Sequence, residues 1–199
     1  MHTFAYSLTR SQNGRILIGM DVRELQSINL AQILKEPGTA QAEGVIRGAI
    51  TAGEEVLPLQ GEAEWSVTVT SAGEEFWLSG EVHGNVLMEC RRCLKHTPQP
   101  VDAYFQHLLE FHPEVEELTL VQNEDDEDVY RFGDPDLDLS FFLAQAFALA
   151  MPYTALCEES CKGLCPVCGA DLNVTDCGHV QGDAVSGSLT ELGKFLDEV

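Results

Sequence analysis

Seven cysteines and one histidine constrain this 199-residue chain more than any other feature: Cys90, Cys93, Cys157, Cys161, Cys165, Cys168, Cys177 and His179. The thiol count is odd, and the N-terminus (Met1-His2-Thr3-Phe4-Ala5-Tyr6-Ser7) has neither the basic flank nor the apolar stretch of a secretory signal. A disulfide framework is therefore disfavoured, and a cytoplasmic protein with metal-binding thiols is the expectation.

Cys165-Pro166-Val167-Cys168-Gly169 has the two-residue spacing of a zinc knuckle. In such a turn two thiolates face one ion, backbone amides bond to sulfur, and a glycine eases the turn. Cys177-Gly178-His179 supplies the other two positions of a Cys₃His set. The remaining four ligands, Cys90 and Cys93 with Cys157 and Cys161, would make a Cys₄ centre, but only the fold can join two pairs so far apart. A mixed set stays open, in which Cys161 joins the knuckle and Cys157 is free. One or two structural zinc ions are expected, and their binding would contribute folding free energy directly. Four ligands per ion leave no open position for catalysis.

Other chemistries fit less well. Arg91 and Arg92 would lower a thiol pKa in a Cys90–Cys93 redox pair, but no strand–helix thioredoxin context surrounds it. The Cys161-x₃-Cys165-x₂-Cys168 spacing of radical-SAM iron–sulfur proteins lacks the repeated β/α architecture that chemistry needs. His2, His83, His96, His107 and His112 have no partner at ligand spacing and read as surface or sheet residues.

The hydrophobic share of 44% is enough for a core. A strand is expected over Arg15–Val22, and 42–50 is ambiguous because two glycines interrupt it. From Glu62 the pattern alternates, with Ala63, Trp65, Val67 and Val69 on one face and a turn at Ser71-Ala72-Gly73. Further strands follow over 76–89 and 101–111. Short connections make the sheet antiparallel, and Gly80 and Gly84 suggest bulges or close approach. Leu139, Phe142, Leu143, Ala146, Phe147 and Ala150 recur at helical spacing, so a buried helix is expected over 138–151, capped by Asp136 or Asp138 and stopped by Pro152. It is too short to span a membrane. Ser188-Leu189-Thr190-Glu191 opens a second helix with a capping box. The fold class is thus α+β: an antiparallel β-sheet packed by a buried helix, with a C-terminal zinc-knuckle segment. The expected division is a sheet domain over 1–156 and a Cys-rich metal-binding segment with a terminal helix over 157–199.

Charge narrows the partners. The chain has 33 acids against 11 bases, a formal charge of −22, and eleven of those acids fall between Glu114 and Asp138 beside one base, Arg131. That stretch reads as a solvated acidic loop, or else as a surface that competes with nucleic acid for a basic protein. No broad basic face exists to neutralise phosphates or an anionic membrane. A basic protein suits the charge better. Direct RNA contact would be limited to a small patch of Arg91, Arg92, Lys95 and Lys162, the setting of a zinc-knuckle RNA-binding module.

Several motifs together resemble the YceD family, described as large ribosomal RNA subunit accumulation proteins. They are Cys90-Arg91-Arg92-Cys93-Leu94, Leu137-Asp138-Leu139, Ala150-Met151-Pro152, Cys157, and Cys161-Lys162-Gly163-Leu164-Cys165-Pro166-Val167-Cys168-Gly169-Ala170-Asp171-Leu172-Asn173. Many relatives end the second set in Cys-x-Cys, where this chain has Cys177-Gly178-His179. Some relatives keep the first pair and two soft ligands after the helix without the later cysteines, which would pair Cys90 and Cys93 with Cys157 and Cys161. The resemblance implies a non-catalytic role in 23S rRNA accumulation and large-subunit biogenesis, with a basic ribosomal protein or a pre-large-subunit particle as partner. In that family the gene commonly neighbours that of a small basic large-subunit ribosomal protein, which is the partner the resemblance suggests. The resemblance implies no catalytic residues.

Overall fold

A computed structural model describes residues 26–72, 75–123 and 126–179. The expected strand at 15–22 and the expected helix at 188–199 lie outside the described residues. What is described is mostly sheet, with one short helix and a cysteine-rich C-terminal part.

Four long strands follow one another as antiparallel neighbours: β2 (Thr39–Ala52), β3 (Glu55–Ala72), β4 (Glu75–Glu89) and β5 (His96–Phe111). Each alternates because one sheet face is buried and the other meets solvent. Ala63, Trp65, Val67 and Val69 are all buried on one face, as their period implied. The stretch 42–50 resolves as strand, and its glycines have identifiable work. A Cβ on Gly44 would come within 2.8 Å of the Trp65 ring. Gly48 has φ +82° at a bulge between Arg47 and Ala49. Gly80 marks close approach, since its ladders are in register and a Cβ there would lie 2.5 Å from the Phe105 ring, whereas Gly84 combines close approach to Ala63 with the β3–β4 register shift between Leu59 and Glu64.

The acidic stretch 114–138 is not one loop. It holds β6 (Thr119–Gln122), β7 (Asp128–Phe132) and β8 (Asp136–Asp138). The sheet order is β2-β3-β4-β5-β7-β6, and β7 pairs in parallel with the end of β5, the one parallel ladder of that sheet. β8 pairs with β1 (Ser27–Asn29), which ties the start of the described chain beside the helix.

The helix, α1, runs Ser140–Ala150 and packs against β5, β4 and β2. Phe142, Leu143, Ala144, Ala146 and Phe147 are its buried face, and Phe142 is ringed by Phe105, His107 and Tyr130. It is not buried all round: Phe141 is 48% and Leu149 81% exposed. The expected cap also differs. Leu139 takes the N-cap position with no side-chain bond, while Asp138 accepts from the Ser140 amide at 2.8 Å one residue earlier. The Gln26 carbonyl accepts from the Leu139 amide at 2.7 Å. Met151 is extended (ψ 138°), as a residue before proline must be, and that ends the helix.

Candidate metal centres

The eight soft ligands come together as two sets of four. Cys90, Cys93, Cys157 and Cys161 form one, and Cys165, Cys168, Cys177 and His179 the other; within each set the ligand atoms lie within 4.8 Å of one another. Cys161 stands with Cys157, not with the knuckle, so the mixed arrangement does not occur. All seven thiols are free. Cys90 and Cys161 sulfurs are 3.9 Å apart and those of Cys93 and Cys157 3.6 Å. A disulfide requires about 2.05 Å. A tetrahedral ion with metal–sulfur bonds of about 2.3 Å requires sulfurs about 3.8 Å apart. The spacing therefore fits a tetrahedral metal and not an oxidised pair.

Both CxxC turns are built alike. The Leu94 amide donates to the Cys90 carbonyl at 2.9 Å, and the Gly169 amide to the Cys165 carbonyl at 2.8 Å. The residue after each second cysteine is left-handed: Gly169 at φ +72° and Leu94 at φ +59°. In each turn amides point at the leading sulfur, and this is what makes a thiolate there. Amides of Cys93, Arg92 and Cys157 draw the Cys90 thiol down to about 6. Amides of Cys168 and Val167 bring Cys165 to about 6. Cys157 is pushed up to about 12 by its bond with Cys161 and by burial. The Lys95 amide favours the Cys93 thiolate, but burial and the sulfurs of Cys90 and Cys161 outweigh it and the pKa rises. Without a cation, Cys90 and Cys165 are thus drawn toward the thiolate while Cys93, Cys157 and Cys177 are pushed the other way. A divalent ion would remove that conflict, since thiol ligands bind deprotonated.

The centres differ in access. Cys90, Cys93 and Cys161 are buried and form a small apolar cluster with Leu156 and Leu164, whereas Cys168 and His179 are exposed. The first centre joins the end of β4 to the segment after α1 through a bridge between Cys90 and Ala155, where the Arg91 amide donates to the Ala155 carbonyl at 3.0 Å.

Four residues that the ligand pattern did not single out hold the two centres together. The Arg92 guanidinium donates to the carbonyls of Glu159 (3.2 Å) and Cys161 (2.8 Å), and its own carbonyl accepts from the Leu164 amide at 3.0 Å. Gly163, at φ +77°, lies against that carbonyl, where a Cβ would sit 2.8 Å from the oxygen. Asn173 accepts from the Lys162 amide at 2.7 Å and donates to the Cys161 sulfur at 3.5 Å. The Asp171-x-Asn173 turn, closed by Asn173 N–H to Asp171 at 2.9 Å, was the one local signal of that role. Ala155 has no such signal.

Between the centres lies a cleft of about 640 Å³ whose lining includes Arg92, Lys162, Asn173, Asp176 and His179. Arg91, Arg92, Lys95 and Lys162 are exposed and make no ion pair among the described residues. Glu89, Glu158, Glu159, Asp171 and Asp176 are close to them in sequence and also exposed or half-buried. Of the other histidines, His83 faces Asp102 (2.8 Å), which together with Glu81 raises its pKa, and His112 faces Glu110 (3.2 Å). His107 packs among aromatic rings, and burial lowers its pKa.

The profile of the family described as "Large ribosomal RNA subunit accumulation protein YceD" matches residues 78–196. A maize protein named "Large ribosomal RNA subunit accumulation protein YCED homolog 1, chloroplastic" is 32% identical over 133 residues, 55% of this chain and 45% of its own. Its namesake in Arabidopsis thaliana is 30% identical over 158 residues, 67% of this chain and 49% of its own. The chain thus spans about half the length of these plant relatives. An uncharacterized protein of Mycobacterium tuberculosis is 26% identical over 156 residues, 77% of this chain and 73% of its own. No solved structure matches the chain.

Proposed function

Because this chain belongs to the YceD family of large ribosomal RNA subunit accumulation proteins, we propose that it is a non-catalytic factor for 23S rRNA accumulation and large-subunit biogenesis that acts through protein contacts. Its acidic segment holds a basic ribosomal protein, free or on a pre-large-subunit particle, in the cytoplasm or an equivalent compartment. The observation that carries this reading is how the acids are displayed. All nine described acids between 114 and 138 are exposed. The only base of the segment, Arg131, is turned to Glu110 on β5, with Nε 2.9 Å from Oε2. β7 ties the hairpin to the core, because Val129, Tyr130 and Phe132 are buried. Among the described residues, the exposed acids of this segment therefore have no Lys or Arg partner within it.

The eight ligands hold one structural zinc ion in each set. Zinc here supplies no reaction; it cross-links the end of β4 to the segment 155–179. The bases around the first centre fit a supporting role better than RNA capture. A divalent ion with four thiolates carries a formal charge of −2, and one with three thiolates and a neutral imidazole −1. Arg91, Arg92, Lys95 and Lys162 offset that charge and that of Glu158, Glu159 and Asp176, leaving no surplus for phosphates.

The test is binding of basic large-subunit proteins to the purified chain across a salt series. Affinity should fall with salt, and should fall again when Glu124, Asp125, Asp126, Glu127 and Asp128 are changed to Gln or Asn. Affinity unchanged by those five neutralisations contradicts the reading, and loss of rRNA binding in Arg91→Ala/Arg92→Ala would favour the RNA module instead.

A further inference from the structure

Among the described residues the sheet ends at β6, and no further strand pairs with this edge. The Asn123 amide donates to the Glu127 carbonyl at 2.9 Å, so the bonded pairs of the antiparallel ladder fall at every second position back from there: Val121 with Val129 and Thr119 with Arg131. The backbone N–H and C=O groups of Leu120 and Gln122 therefore point away from β7, off the sheet. β2, at the opposite edge, is interrupted by the Arg47/Ala49 bulge, a usual protection of an edge strand. β6 has no bulge, no proline and no lysine.

The open edge continues the apolar surface of the core. Leu120 lies opposite Tyr130 in the ladder, and Tyr130 packs on Phe141 and Phe142 of the helix. The row stops at the rim, where Leu120 is 51% and Phe141 48% exposed. Flanking it are the exposed acids Glu116, Glu117, Glu127 and Asp128.

We infer that β6 is a strand-addition site for an extended basic segment of a partner protein. The segment lies along Leu120 and Gln122 and extends the sheet by main-chain hydrogen bonds. Its alternate side chains serve two purposes: apolar ones cover Leu120 and Phe141, and Lys or Arg residues meet the flanking carboxylates. Charge selects this occupant, since an acidic strand would be repelled and a neutral one would supply the carboxylates no counter-charge. The inference rests on the reading that the acidic segment captures a basic protein, and specifies how.

The experiment uses the full chain and three nine-residue peptides of alternating Lys and Val. One has an ordinary backbone; the other two carry N-methyl groups on alternate residues, one set along each peptide edge. Strand addition predicts that one methylated peptide binds at least tenfold more weakly than the parent while the other binds like it. Gln122→Pro, which removes an outward donor but no bond of the β6–β7 ladder, should weaken the parent at least tenfold with an unchanged melting temperature. If all three peptides bind equally, strand addition is wrong; if Glu116→Gln/Glu117→Gln/Glu127→Gln then still weakens them, charge capture survives without it. No measurable binding by any peptide overturns the inference, while salt-sensitive binding of intact ribosomal proteins would keep the broader reading. Should Gln122→Pro misfold, the methylated peptides decide alone.

Discussion

Gly163→Ala should loosen the join between the two metal centres, and a matched control is built into the chain. Gly163 and Gly169 both sit in the left-handed region, at φ +77° and +72°. An alanine there costs about 1 kcal/mol or a little more in either place, from the clash of Cβ with its own backbone. At Gly169 nothing lies within 4 Å of the new Cβ, so the cost ends there. At Gly163 the Cβ would meet the Arg92 carbonyl oxygen at 2.8 Å and the Arg92 Cβ at 3.2 Å, and backbone cannot rotate aside. Moving that carbonyl sacrifices its bond from the Leu164 amide (3.0 Å), worth about 1 kcal/mol. Gly163→Ala should therefore be less stable than Gly169→Ala by about 1–2 kcal/mol, or about 2–8 °C in melting temperature for a chain of this size. The assay is thermal unfolding of both variants in zinc-buffered solution, paired with the rate of metal loss to a chelator. Gly163→Ala should also release metal faster. Equal melting temperatures and equal release would refute the packing argument, because backbone strain alone is common to the two sites.

Further outcomes follow from the same geometry. Leu94→Gly should stabilise the protein slightly, by up to about 1 kcal/mol, because Leu94 is left-handed and 58% exposed; a fall in melting temperature would show that its side chain is needed. Cys93→Ser should lower metal stoichiometry by one ion per chain and leave the second set loaded, as read by elemental analysis; loss of both ions would mean that the sets do not load independently. Glu110, held below its ordinary pKa by Arg131, with His112 adding to the effect, stabilises the folded state above the unfolded carboxylate pKa of 4.5. That contribution is lost as pH falls through the depressed folded value. Glu110→Gln should therefore cost a few tenths of a kcal/mol at pH 7, discounted for partial exposure, and the gap to wild type should close under acid in a urea-unfolding series. A gap that persists at low pH would assign the loss to packing. Gly133→Ala should displace the 112–115 turn, since its Cβ would run into the carbonyls of Val115 and His112; lowered protection of the β6–β7 amides in hydrogen exchange would register it, and unchanged protection would contradict it.

Much of the fold was readable where a burial rule acts residue by residue. β3 showed its face because Ala63, Trp65, Val67 and Val69 alternate with exposed polar residues. β2 did not, because Gly44 makes room for the ring of Trp65, its direct partner across the β2–β3 ladder and 21 residues away in sequence. The short strands β6 and β7 were hidden by the acids that flank them. Only Val129, Tyr130 and Phe132 are buried there, too few to show a period, and a parallel pairing with β5 has no local signature. The helix was visible by spacing, but its cap was misplaced because Asp138 closes a turn before the helix instead of bonding into it. Ligand spacing offered the two sets that the structure brings together beside a mixed set that it does not, because only the fold joins Cys90 and Cys93 to Cys157 and Cys161. The join between those sets depends on the Arg92 carbonyl and on Gly163, and a backbone contact across 70 residues leaves no pattern in a ligand count.

The central claim is tested most directly by depleting the protein from its own cells and measuring the 23S-to-16S rRNA ratio with a subunit gradient. The account predicts a lowered ratio and missing or immature large subunits, restored by the wild-type chain and restored poorly by a chain with Glu124 to Asp128 neutralised. An unchanged ratio after full depletion would contradict it.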